Sequence, residues 1–124
     1  MKKEAQNWRE HGKRDLETAE HTMDSKDYYA SSFFSQQAVE KALKALYVKK
    51  FNELVRVHDM VFLARELELP RDLIDAAKRL NPVYVESGYP DVSGSLSAYS
   101  YAGEDASEDL SDVNKIIKWL HGKI

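Results

Sequence analysis

The sequence predicts an all-α fold: an antiparallel, up-and-down helical bundle of four long helices plus a short helix. Three observations lead there. Apolar residues recur every three or four positions along most of the chain, which is the period of one helix face. No stretch alternates apolar and polar residues as a half-buried strand does. The segment FFSQQAVEKALKAL, Phe33 to Leu46, is apolar nearly all the way round yet carries Gln36, Gln37 and Glu40. A helix apolar on two sides is normally the centre of a bundle. Polar side chains held inside it need hydrogen-bond partners, so they specify a neighbour or a ligand.

The first helix is predicted over residues 3–23. Ala5, Trp8, Gly12, Leu16, Ala19 and Met23 form its apolar stripe, with Lys13, Arg14, Glu17 and Glu20 on the wet face. Asp24-Ser25-Lys26-Asp27 is a turn, and Asp27 suits the N-cap of the next helix. So short a connection makes the two helices antiparallel neighbours. Helix two spans about residues 28–50 with two stripes. One is Tyr29, Phe33, Gln36, Glu40, Leu43 and Tyr47; the other is Ala30, Phe34, Ala38, Ala45 and Val48. Small residues on the second stripe admit a close neighbour, either another helix of this chain or the same helix of a second copy.

Residues 51–56 hold neither glycine nor proline, so the break there is soft. Helix three carries Val57, Met60, Val61, Ala64 and Leu67, which puts His58 and Asp59 at its start. Pro70 suits the first turn of helix four, where its missing N–H costs nothing. Leu73, Ile74, Ala77 and Leu80 form the inner face. Asn81-Pro82 is expected to interrupt this helix, with a short continuation through Tyr84. Residues 87–103 are the expected loop, rich in glycine, serine and tyrosine. The last helix begins near Glu104, with Ala106, Leu110, Val113, Ile117 and Leu120 as its stripe. Its early acids and late lysines suit the helix dipole.

At 124 residues the chain fits one domain, residues 1–124, with a core of its own. It has no cysteine, which excludes disulfides and thiolate metal sites. No apolar run approaches the roughly 18 residues of a membrane span. The N-terminus is too charged for a signal peptide. A cytoplasmic protein with no membrane association is expected. The net charge of −3 argues against broad nonspecific duplex binding. Lys41, Lys44, Lys49, Lys50 and Arg56 nevertheless gather around the end of helix two. That gathering is either a solvated helix end, with cations suiting the dipole, or a phosphate site.

His58 at the start of helix three is a candidate base or phosphate donor; otherwise it packs on a neighbour while Asp59 serves the helix dipole. His11 with Asp15, and Glu17 with His21, have i,i+4 spacing, but nothing closes a tetrahedral metal site. No metal or other cofactor is therefore expected. No glycine-rich phosphate loop and no nucleophile elbow is present. The tyrosines at 84, 89, 99 and 101 offer faces on which a base could stack. The alternative is that Tyr84 and Tyr89 pin the loop to the bundle.

Several of these elements occur in a telling order: Trp8 with Arg14-Asp15-Leu16, then Tyr28-Tyr29-Ala30, then the FFSQQAVEKALKAL helix, then His58-Asp59. Tyr84 and Tyr89-Pro90-Asp91 follow. Over residues 8–120 this series resembles the HEPN domains, a family of small all-α nucleotide- and RNA-associated proteins. The resemblance implies a helical bundle, often a homodimer, that associates with a nucleotide or RNA. Many relatives pair with a minimal nucleotidyltransferase in toxin–antitoxin modules. In active members an R-x4-6-H motif forms a metal-independent RNase site across the dimer. Here no such motif occurs in the later helices, and Gly88 stands where arginine is expected before Tyr-Pro-Asp. Arg14 and His21 match the count only in helix one.

The expectation is therefore a binding module without stand-alone activity, acting with a nucleotidyltransferase partner. Lys41 and Lys44 supply phosphate charge. Gln37 supplies orientation, Arg56 further charge, His58 a donor and Tyr89 a stacking face. The alternatives are a metal-independent endoribonuclease toxin with His58 as base, and a protein-interaction bundle without a ligand.

Overall fold

The computed structural model describes residues 2–88 and 103–123, and the side chains of α4 as far as Leu80. Every regular element among the described residues is helical: α1 (Lys2–Asp24), α2 (Tyr28–Phe51), α3 (Met60–Glu66), α4 (Arg71–Gly88) and α5 (Gly103–His121). The all-α bundle read from the sequence is thus the fold.

Helix α2 is the hub, packed against each of the other four. Its burial runs round most of its circumference, from Ala38, Val39, Leu43 and Ala45 to Leu46 and Val48. Asp27 caps it, its carboxylate accepting from the Ala30 N–H at 3.4 Å. At the other end Asn52 adopts a left-handed conformation, φ 53°, and its N–H closes on the Val48 carbonyl.

Helices α1 and α2 run antiparallel and close. Gly12 is the contact point: a Cβ there would lie 3.2 Å from the Ala38 carbonyl oxygen and 3.4 Å from the Ala42 nitrogen. Above it, the Ser31 hydroxyl donates to the Ala19 carbonyl at 2.8 Å. The small-residue stripe is therefore covered by α1 of the same chain, with Ala38 and Ala45 fully buried. That removes Ala38 and Ala45 as a seam for a second copy.

The opposite side of α2 meets α3, α4 and α5 around Leu43, Met60, Leu63, Leu80, Ile116 and Leu120. Arg79 of α4 ties to Asp112 of α5 with two hydrogen bonds of 2.9 Å each. The hydrogen bonds to that carboxylate raise the Arg79 pKa, against the opposing effect of burial.

Two boundaries differ from the sequence reading. Helix α3 begins at Met60, because Asp59 is its N-cap and accepts from the N–H groups of Val61 and Phe62 at 2.9 and 3.2 Å. His58 accordingly precedes the helix. Helix α4 does not stop at Asn81-Pro82 but continues to Gly88; an internal proline removes one backbone hydrogen bond and need not end a helix. Pro70 sits just before α4, its carbonyl accepting from the N–H groups of Leu73 and Ile74.

Candidate functional site

The polar residues of α2 divide into two groups. The first surrounds Lys44. This lysine is 3% exposed, with its ammonium 4.9 Å from the centre of the Trp8 ring. Glu40, one turn earlier and also buried, stands 3.7 Å from the ammonium. Nδ1 of His58 lies 2.8 Å from the same ammonium and 3.5 Å from the Glu40 carboxylate. Burial pushes the Lys44 pKa down; Glu40 opposes this, and Lys41 adds a smaller push in the same direction as burial.

The consequence for His58 follows from donor inventory. A lysine ammonium has only protons to give. While Lys44 is charged, Nδ1 must accept, so the single proton of a neutral imidazole sits on Nε2. The His58 side chain is 74% exposed. The arrangement thus presents an N–H donor at the surface, held from behind by a buried cation. Arg56, two residues away, is exposed on the same segment.

The remaining predicted residues fall in different places. Lys41 is not free: its ammonium meets the Asp15 carboxylate of α1 at 2.6 Å. Gln37 is partly buried and donates to the Gln36 side chain at 3.3 Å. Tyr89, with Tyr84, Tyr99, Tyr101 and most of the expected loop, lies outside the residues whose side chains are described. The structure brings together Lys44 and His58, with Arg56 nearby, and does not gather Gln37 and Lys41 with them. Glu40 and Trp8 complete the environment of Lys44. The sequence reading identifies Glu40 as a buried polar residue and Trp8 as a packing residue, without linking either to Lys44.

The second polar group lies toward the start of α2. Ser32 and Ser35 are fully buried, and Asp109 of α5 is 8% exposed. The two hydroxyl oxygens and Oδ2 of Asp109 form no hydrogen bond of good geometry among the described residues, although Ser32 stands close enough to Asp109 to favour its carboxylate. Burial pushes the Asp109 carboxyl up to about 6. Ser32 opposes the shift, and the carboxylates of Asp112, Asp105 and Glu108 add to it. Sequence reasoning passes over this group. Its signal is available: Asp109 falls three residues after Ala106 and four before Val113, inside the apolar stripe of α5.

Among the described residues no three His, Asp or Glu side chains converge as a metal site. None of the described helices is long and apolar enough to cross a membrane.

No curated protein matches the chain. Three solved structures are similar over nearly its whole length. TT1696 from Thermus thermophilus is 30% identical, with 97% of this chain and 98% of that one covered and a TM-score of 0.88. ST0689, an archaeal HEPN homologue, is 30% identical with 95% of each chain covered and a TM-score of 0.81. A HEPN domain protein, TM0613 from Thermotoga maritima, is 28% identical, with 94% and 95% covered and a TM-score of 0.72. The HEPN domain family model matches residues 5–123. With that match over nearly the whole chain and the same helical fold, this chain belongs to the HEPN domain family.

Proposed function

We propose that this HEPN domain is a binding module for the phosphate of a nucleotide or a short RNA. His58 and Arg56 make the contact, and Lys44 sets the orientation of His58. The observation that carries the reading is the 2.8 Å contact between Lys44 and Nδ1 of an otherwise exposed imidazole. With Lys44 charged and the imidazole neutral, it leaves the outward nitrogen as the donor, which suits an anionic oxygen. A general base at His58 would need a lone pair at that same nitrogen, so the endoribonuclease reading is the weaker one. Lys41 contributes to the local field while paired with Asp15. Gln37 and Tyr89 remain assigned to orientation and base stacking.

The assembly in this reading is a homodimer working beside a minimal nucleotidyltransferase in a toxin–antitoxin-like module. That pairing is what the resemblance to the family implies. The cluster of exposed apolar side chains at Phe51, Leu54, Val57 and Phe62, on the segment that carries Arg56 and His58, supports a second copy docking there.

Fluorescence anisotropy with a labelled single-stranded RNA and with a labelled nucleotide tests the proposal. A charge-assisted hydrogen bond contributes about 1.5–3 kcal/mol, so His58→Ala and Arg56→Ala should each weaken binding about 10- to 100-fold. Unchanged affinity in both variants sinks the assignment. Metal-independent cleavage of the RNA, lost in His58→Ala, would instead favour the RNase.

A further inference from the structure

A second cationic feature lies away from His58. Lys49 follows Lys44 by five positions, so it projects about 140° further round α2. There the first turns of α1 and the last turn of α2 enclose a cleft of about 400 Å³. Lys2 and Arg9 line it from α1 and Lys49 from α2, over a floor of Ala5 and Val48, with Asn52 at its end. None of the described lining residues is acidic, in a chain whose net charge is −3.

Arg9 is the informative member. Its Nε is buried and has no hydrogen-bond partner among the described residues. The other shielded cations are supplied: Lys44 by Glu40 and His58, Lys41 by Asp15. The Lys49 ammonium donates to the Lys123 carbonyl at 3.2 Å. A guanidinium nitrogen withdrawn from water without an acceptor is unfavourable. An anion entering the cleft would provide that acceptor.

The shape of the donor set selects the anion. A planar carboxylate is satisfied by one arginine fork. Here Lys2 and Arg9 of one helix and Lys49 of another line the same cleft, a cationic lining that suits a tetrahedral group with three or more oxygens. The Ala5 and Val48 floor can take an apolar body behind the charge. The volume lies toward the low end of small-molecule pockets, roughly 300–1,000 Å³, too small for a polymer. We propose that this cleft binds a small organic phosphate, at a site distinct from His58.

The test is an NMR titration that observes the Arg9 Nε–H directly, using phenyl phosphate, inorganic phosphate and, as an ionic-strength control, sodium chloride. The expected result is a saturable shift of the Arg9 resonance with phenyl phosphate, at a dissociation constant below about 1 mM. Inorganic phosphate should bind more weakly and sodium chloride should give no saturable shift. Arg9→Gln and Lys49→Gln should each weaken binding about tenfold or more, and His58→Ala should leave it unchanged. Lys49 is exposed, so its variant keeps the test intact if Arg9→Gln fails to fold. The proposal is overturned by no saturable shift up to about 10 mM, by an equal response to chloride, or by dependence on His58 in place of Arg9 and Lys49. That last result would transfer the phosphate to the His58 site and would support the binding function while removing this cleft.

Discussion

The Lys44 ammonium and Nδ1 of His58 are 2.8 Å apart, linking a residue that is 3% exposed to a side chain that is 74% exposed. The pair crosses from the buried face of α2 to the segment before α3. It gives the exposed ring a fixed partner and a fixed direction. It also makes the chemistry of the surface nitrogen depend on a group that solvent barely touches.

In the parent protein, with neutral His58, the ring proton should reside on Nε2, because Nδ1 accepts from Lys44. Lys44→Met removes the donor and leaves the buried Glu40 carboxylate 3.5 Å from Nδ1. The ring should then shift toward the Nδ1–H tautomer, donating to Glu40. Long-range ¹H–¹⁵N spectra of the imidazole distinguish the two forms. An Nδ1–H tautomer in the parent would contradict the donor role assigned to Lys44 and would return His58 to candidacy as a base.

Asp109 makes stability depend on pH. Its folded pKa, about 6, lies above the ordinary value of 3.8. The folded state therefore holds this proton more tightly than the unfolded state does. Stability from this group is greatest below about pH 4 and declines as pH rises to about 6. A shift of about two units corresponds to about 3 kcal/mol, and local relaxation reduces it. Asp109→Asn should accordingly stabilise the protein by about 1–2 kcal/mol at about pH 7.5 and by little at about pH 4. Urea unfolding of both proteins across that range measures the difference. A variant less stable than the parent at the higher pH would mean that the charged carboxylate has a partner in solution.

Much of the fold was legible because it depends on local spacing. Ala5, Gly12 and Ala19 recur at seven-residue intervals, and all three are buried. Gln36 and Glu40 were readable as interior polar residues because large apolar residues flank them on both sides. The site was less legible because its contacts join distant residues. Lys41 looks like a free cation until Asp15, 26 residues earlier, is placed beside it. The burial of Lys44 depends on Trp8 and His58, which no periodicity within α2 reveals. The start of α3 differs because Asp59 caps better than it continues a helix, and apolar spacing does not register that preference.

Gly12 sets the separation of α1 and α2. Alanine there gains about 1 kcal/mol of helix propensity. Its Cβ, however, would stand 3.2 Å from the Ala38 carbonyl oxygen. That oxygen belongs to the backbone of the central helix, so relief requires the helices to part. Overpacking typically costs about 1–3 kcal/mol. Gly12→Ala should therefore destabilise the protein by about 1 kcal/mol net, and Gly12→Val by more. Thermal unfolding monitored by circular dichroism tests the sign. A more stable Gly12→Ala protein would show that α1 shifts to accept a methyl at little cost.

The exposed apolar side chains make the last prediction. Phe51, Leu54, Val57 and Phe62 are 38%, 52%, 40% and 42% exposed, and they are the large exposed hydrophobics among the described residues. All four fall within twelve consecutive positions. Leu54, Val57 and Phe62, together with Tyr47 and Arg56, line a cleft of about 530 Å³. Scattered exposed apolar residues need no explanation, whereas a cluster marks an interaction surface. A second copy placed there would bring two His58-Arg56 segments close together and double the charge offered to one strand of RNA. Leu54→Glu and Phe62→Glu should each convert a dimer to a monomer while preserving helicity, because a carboxylate in an apolar interface is left without a partner. Light scattering at about 10–100 μM, near the range in which modest interfaces form, reads the mass. A parent monomer across that range, or a dimer that survives both substitutions, would remove this patch as the self-association surface. RNA affinity falling in parallel with dimerisation, with His58 and Arg56 intact, would place the phosphate contacts across the two copies.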